Sequence, residues 1–381
     1  METFVIEAKK VLPSQIEEEL SRIWEHLNSS SLAEENRRMR ASLFNLILFT
    51  DKNARAPYVR GIAKRVIEKF PSRVLFVTID RESQEDVFTT AVSVLSAKEE
   101  SDIACDFIEY EMTSISAVRI PFLLLAHLLP DLPIYLLWAE DPILDNPIVY
   151  QLEKLATRLI FDSESTSNLP LFAKSLLLHK EKSGRDIADL NWARTEGWRS
   201  LLLATFHSKQ RLLEIEDARI VKLTYNNLPT DFFCHTRIQA IYLQGWIAGQ
   251  FGWSLKEVGS VQVDGRLARE LIFYYQSTKN QPIEVRLIPE EHKEIAPGSI
   301  VTFELLTYES QHFLFSRNLQ ESYQVTLYIA SRDRCELPTH FFFHKGGMGQ
   351  TLVKEICERS TSYHYLKLLH FIAGLEELSL C

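Results

Sequence analysis

Glycine is scarce in this chain, with 13 in 381 residues, and none falls where a nucleotide-binding turn would need it. The loop after the first apolar run, TDKNARAPY (Thr50–Tyr58), has no glycine, so its backbone lacks the close approach to a pyrophosphate on which dinucleotide-binding sheets rely. Walker A, G-x-S-x-G and H-E-x-x-H patterns are missing too, which removes the strongest enzyme signatures. Cysteine is sparse: Cys105, Cys234, Cys335, Cys357 and Cys381 form an odd set without C-x-x-C or Cys/His spacing, which predicts reduced structural thiols and no metal site. The most apolar stretch, Ile120–Trp138, is interrupted by Pro121, Pro130, Asp131 and Pro133 and carries His127, so it reads as a buried helix, a turn and a buried strand rather than a membrane span. METFVIEAKK leads into the acidic QIEEEL without the apolar core of a secretory signal, and a cytoplasmic protein with no membrane partner is expected.

Positive charge is also in deficit. The net charge of -9 argues against a nucleic-acid partner, because phosphate neutralisation needs clustered Lys and Arg. The average hides two blocks. Between Arg37 and Arg73 the only acids are Asp51 and Glu68, and between Asp80 and Glu111 the only bases are Arg81 and Lys98. Such blocks read either as solvated faces or as surfaces that dock a charged partner.

What is present is the material of two folded domains. Hydrophobic residues make up 46% and charged residues 24%, the balance of a globular protein, without repeats or biased tracts. The runs FNLILFT (Phe44–Thr50) and VLFVTI (Val74–Ile79) flank a helix opened by Pro57, on which Val59, Ile62, Ala63, Val66, Ile67 and Phe70 form one apolar stripe. This is a βαβ unit with parallel strands. Further strands are expected around Ile103–Met112, Ile134–Ala139 and Arg158–Ser163, with helices at Ile115–Leu129 and Ile148–Ala156 and an outlying helix at Pro13–Leu27. The predicted first domain, residues 1–185, is a doubly wound, mostly parallel α/β sheet, Rossmann-like without the dinucleotide fingerprint. A long helical region broken at SGRD runs to about Glu214. Closely spaced strand-like runs between Ala218 and Ile329 then predict an antiparallel sheet, with helices His235–Phe251, Gln350–Arg359 and Tyr363–Ile372 on one face. The second domain, residues 186–381, is therefore α+β.

Two segments stand out chemically. HKGGMGQ (His344–Gln350) places Lys345, Gly346, Gly347 and Gly349 before a helix, where backbone N–H groups and a cation suit an anion; without the P-loop spacing, a plain flexible connection is the better-supported reading. DLNWARTEGWRSLLLATF (Asp189–Phe206) brings Asn191, Trp192, Arg194, Trp198 and Arg199 together near the domain boundary. Trp and Arg are enriched in interface hot spots, and they also serve as plugs between domains.

Asp189–Arg199, DLNWARTEGWR, resembles the signature of the glucose-6-phosphate dehydrogenase assembly proteins, the OpcA family, whose pattern is close to D-L-N-W-A-R-L-T-P-W-R. Thr195, Glu196 and Gly197 stand in place of its L-T-P run. Other resemblances follow in order: RASLFNLIL from Arg40, FPSRVLFV from Phe70, LPDLPIYLLW from Leu129, RLIFDS from Arg158, and QTLVKEICERSTSYHYLKLL near the end. The resemblance implies a non-catalytic bacterial protein that binds glucose-6-phosphate dehydrogenase and promotes its assembly or activation, with no cofactor of its own. NADP and glucose 6-phosphate would be ligands of that partner. The residues alone leave open a second reading, an enzyme or sensor that binds a sugar phosphate or nucleotide at the strand ends of the first sheet through Arg55, Arg60 or the HKGGMGQ loop.

Overall fold

The apolar runs become strands. The computed structural model describes residues 8–30, 39–96, 103–143, 147–231, 235–262, 269–343 and 349–375. In chain order, the first elements are β1 (Lys9–Val11), α1 (Ile16–Ser30), β2 (Met39–Arg40), β3 (Asn45–Asp51), α2 (Arg55–Ile67), β4 (Arg73–Asp80), β5 (Phe88–Ser96), β6 (Ile103–Thr113), α3 (Ile120–His127), β7 (Ile134–Trp138), α4 (Pro147–Leu152), β8 (Arg158–Phe161), α5 (Leu169–Ser183) and β9 (Asp186–Asp189).

The sheet runs β1-β5-β6-β4-β3-β7-β8-β9, with β2 beside β6. From β6 to β9 every pairing is parallel, and β5 alone among the described strands runs against the rest, pairing antiparallel with both β6 and β1. Taken in chain order, the six parallel strands follow the 3-2-1-4-5-6 pattern of a doubly wound sheet. The α2 stripe buries Val59, Ile62, Ala63, Val66 and Ile67 against Leu46, Leu48, Val74, Phe76 and Phe107. That burial holds the first crossover to the sheet.

Three local expectations change. Between β4 and β6 the chain forms strand β5, whose FTTAVSVLS run is rich in β-branched residues but sits inside the acidic block. After SGRD the short DIAD run extends the sheet as β9 instead of joining a helix. The helix expected at Ile115–Leu129 is shorter, a 3-10 turn at Ala117–Arg119 followed by α3, and it is buried on one side only. His127 is a core residue, with Nδ1 3.2 Å from Glu17.

The charge blocks largely answer one another. Arg73 and Arg40 both lie 2.7 Å from the buried Asp106 carboxylate, Arg60 pairs with Glu109, and Lys52 pairs with Glu111. Residues that read as two separate surfaces are thus cross-strand and helix-to-strand partners within one sheet.

The second sheet is built from β10 (Ala218–Asn226), β11 (Ser254–Gln262), β12 (Arg269–Gln276), β13 (Pro282–Glu290), β14 (Ile300–Thr307), β15 (His312–Arg317), β16 (Gln324–Ala330) and β17 (Thr339–Phe342), ordered β11-β12-β13-β10-β14-β15-β16-β17. It is antiparallel except where β10 lies parallel to β13. Alternation decides its faces: Phe273, Val285, Leu223, Phe303 and Phe315 point inward, while Lys222, Arg286 and Glu304 point outward. Its helices are α6 (Leu190–Arg194), α7 (Glu196–Thr205), α8 (Lys209–Glu216), α9 (Ile238–Phe251) and α11 (Tyr363–Ala373).

The chain divides into two compact units, Met1–Thr166 with Ser175–Leu190 and Gly347–Thr361, and Ser167–Lys174 with Asn191–Gly346 and Ser362–Cys381. The single boundary drawn at residue 185 in the sequence therefore does not capture an exchange of segments. In particular α10 (Gln350–Cys357), expected on the second sheet, packs on α2 through Leu352, Val353 and Ile356. Gly349 allows this. Its φ is 82°, and a Cβ there would come 2.6 Å from Arg65 Cβ and 3.0 Å from the Ile62 carbonyl oxygen.

Candidate functional site

Of the anion-binding candidates, Lys345, Gly346 and Gly347 lie outside the described residues, and Gly349 has the packing role above. The Asn191–Arg199 segment is fully described and forms the corner between α6 and α7. Its side chains point inward. Asn191, Trp192, Trp198 and Arg199 are all buried, and Arg194 is half-buried with its Nη1 donating to Asn191 Oδ1 at 2.9 Å. The Arg199 guanidinium lies 3.4 Å from the Trp192 ring centroid and donates to the Trp192 carbonyl at 2.6 Å and to Thr195 Oγ1 at 2.5 Å. Arg199 is thus no exposed charge: the stacked cation closes the corner. Trp198 meets Phe343 edge-on at 5.5 Å. A Cβ on Gly197 would touch the Phe343 ring at 3.2 Å, so glycine here suits the approach of that ring to Trp198.

A different constellation occupies the carboxyl ends of the parallel strands, where doubly wound sheets bind ligands. Asp51 ends β3, Arg81 follows β4, and Glu140 lies two residues past β7, so the three meet at the point where strand order reverses. Arg81 Nε donates to Asp51 at 2.6 Å and its Nη2 pairs with Glu140. Beside them the buried Arg55 donates to Asp162 at 2.8 Å, and Asp189 accepts from the Ser163 backbone N–H at 3.1 Å. The crevice is filled by the chain's own charges. Sequence reasoning missed this set because its partners are far apart along the chain; the available signal was the acid within two residues of the end of one apolar run after another.

Burial first, then the Asp51 carboxylate, push the Glu140 carboxyl up to about 8 against the pull of Arg81. A carboxyl raised in the folded state holds a proton that the unfolded chain releases, so stability falls as pH rises from about 4.5 to about 8. Glu140→Gln is expected to flatten this slope, changing the difference in unfolding free energy between pH 5 and pH 8 by a few kcal/mol. Urea titrations at the two pH values check it, and an unchanged slope would contradict the assignment.

An uncovered apolar feature lies at and before α3. Ile115, Val118, Phe122 and Leu125 are 55%, 64%, 72% and 53% exposed, while Ile120, Leu124 and His127 face the core. Phe122 and Leu125, three residues apart, share one face of α3, and Ile115 and Val118 come just before it in a turn and a 3-10 turn. Contiguous exposed apolar surface of this kind marks interaction sites more often than it occurs by default.

Among the described residues no cluster of His, Cys, Asp or Glu is arranged to hold a metal ion, and no helix is long and apolar enough to cross a membrane. Cys105 is buried, and burial pushes its thiol up to about 12.

Comparison with known proteins adds identity to this geometry. Two family models match, the glucose-6-phosphate dehydrogenase subunit N-terminal domain over residues 63–174 and the corresponding C-terminal domain over residues 185–332. A putative OxPP cycle protein OpcA of Synechocystis sp. is 24% identical over 199 residues, 51% of this chain and 40% of that one. Its counterpart in Synechococcus elongatus is 26% identical over 219 residues, 56% of this chain and 46% of that one. The matched region thus spans less than half the length of these curated relatives. Among solved structures, a 3-ketoreductase from Actinomadura kijaniata with NADP and TDP-benzene, in an open conformation, superposes with a TM-score of 0.51 at 9% identity, covering 87% of this chain and 95% of that one. At that identity the likeness concerns the fold alone.

Proposed function

The chain belongs to the OpcA family of glucose-6-phosphate dehydrogenase subunits, and from that premise we propose that it is a non-catalytic partner that binds glucose-6-phosphate dehydrogenase and favours its active assembly. The carrying observation is the filled crevice. An oxidoreductase-like sheet whose switch point holds Asp51, Arg81 and Glu140, after a glycine-free turn, retains the scaffold while engaging the Arg81 guanidinium with acids of the same chain. An exposed apolar surface is available for a partner. The Ile115–Leu125 stripe falls inside the span of the N-terminal family model and suits an enzyme surface. The α6–α7 corner contributes indirectly, by fixing the shape of the second unit.

A partner activates an enzyme only by binding its competent form more tightly than the inactive one. A tenfold shift requires about 1.4 kcal/mol of differential affinity, which a few buried apolar side chains supply. The test mixes purified chain with purified dehydrogenase and follows NADPH formation together with association by sedimentation. Saturable association with increased activity is expected, and NADP-dependent turnover by the chain alone, or no association, would overturn the reading. Phe122→Asp, on a ring already 72% exposed, should leave the thermal midpoint within a degree or so of wild type and weaken association roughly tenfold or more. Undiminished association would move the docking surface away from α3.

A further inference from the structure

A doubly wound sheet normally carries a helix on the crossover between its second and third parallel strands, on the same side as the first crossover helix. Here β4 passes to β6 through strand β5 instead, so the sheet face beside α2 lacks that helix. Part of the vacated face is covered by Arg60, whose guanidinium lies 4.9 Å from the Phe76 ring centroid and 5.7 Å from that of Phe107 and pairs with Glu109. Above it is a cavity of about 360 Å³, walled by Ala56, Pro57, Arg60, Gly61 and Lys64 of α2, with Lys52 at its end and Thr78 and Glu111 on its floor. Thr78 and Glu111 are register neighbours on β4 and β6, so both point into it from one face.

The geometry points to a binding site for a small phosphorylated sugar in this cavity. Lys52, Arg60 and Lys64 line it, and although Glu111, Asp80 and Glu109 already pair with the first two, their remaining N–H donors and the Lys64 ammonium suit a phosphoryl group through charge-assisted hydrogen bonds. Lys52 and Arg60 are held in place by Glu111 and Glu109, so little ordering is left to do on binding. Glu111 and the Thr78 hydroxyl supply the opposite chemistry, acceptors for the hydroxyls of a polyol. Size discriminates as well. The cavity is at the small end of the range for ligand pockets, enough for a monosaccharide phosphate and too little for a dinucleotide, whose usual crevice is filled. The site is separate from the α3 stripe, and it provides a way for a metabolite to act on this chain rather than on a partner.

Calorimetric titration of the purified full chain, with no dehydrogenase present, tests this independently of the docking proposal. The probes are glucose 6-phosphate, glucose and inorganic phosphate. Glucose 6-phosphate should bind saturably, with glucose and inorganic phosphate each weaker by roughly tenfold or more. Lys64→Met, which keeps the apolar stem, and Thr78→Val should each weaken glucose 6-phosphate by several-fold or more while the thermal midpoint is retained. No binding at millimolar glucose 6-phosphate would overturn the proposal. So would inorganic phosphate binding as tightly as the sugar phosphate, or wild-type affinity in both folded variants.

Discussion

Trp198→Ala is expected to cost the second unit about 3–5 kcal/mol, because a buried tryptophan is replaced by a side chain that leaves a void. The ring is about 1% exposed, it meets Phe343 edge-on at 5.5 Å, and the Arg317 guanidinium lies 5.6 Å from its centroid. A second substitution separates packing from polarity. The Trp198 indole N–H has no hydrogen-bond partner among the described residues, so Trp198→Phe loses some contact area but also relieves a buried unsatisfied donor. Those effects oppose each other at about 1–3 kcal/mol each, and Trp198→Phe should stay close to wild type. Denaturant unfolding of the two variants checks the contrast, and similar losses for both would mean that the N–H is not an unmet cost.

The same geometry changes how the arginines of this corner should be used as probes. Arg199→Glu would place a carboxylate over the Trp192 ring and beside the Trp192 carbonyl, so its effect on partner binding would report on folding. Arg194 is the cleaner probe, since it is half-buried where Arg199 is buried.

How much of this was legible in the sequence depends on the kind of information each feature carries. The β3-α2-β4 unit was readable because its strands are continuous apolar runs and the α2 stripe has helical spacing, both local properties. Strand β5 was not, because charged residues flank its small and β-branched residues and its pairing with β6 is not a local property of the run. The glycine-free turn was legible as a departure from the dinucleotide fingerprint. Its actual content was hidden, since Asp51, Arg81 and Glu140 meet only when three strands are laid side by side. The α3 stripe was hidden for a different reason: IPFLLL is apolar all round, so its periodicity cannot tell which side is covered.

The buried pair between Arg158 of β8 and Glu355 of α10 carries the other large expected effect. Arg158 Nη2 lies 2.6 Å from Glu355 Oε2, with both side chains 5% exposed. Its Nη1 also donates to the carbonyls of Glu358 at 2.9 Å and Ser360 at 3.2 Å, so one guanidinium ties the end of α10 to the sheet. Burial pushes the Glu355 carboxyl up to about 7 even with Arg158 pulling it down. Arg158→Met removes the compensating charge and three hydrogen bonds, and is expected to cost about 3–5 kcal/mol. The sign of its pH dependence follows from the same shift. A folded-state value above the unfolded 4.5 means that stability already falls as pH rises from about 4.5 to about 7. Without Arg158 the carboxyl should hold its proton to still higher pH, so the decline should steepen and continue further into the alkaline range. Glu355→Gln in the Arg158→Met background should remove that added slope and recover part of the loss, because a neutral amide needs no counter-charge. Urea unfolding at pH 6 and pH 8 distinguishes the cases: a loss equal at both pH values, unrelieved by Glu355→Gln, would mean that Arg158 acts through packing and its carbonyl bonds rather than through the charge of Glu355.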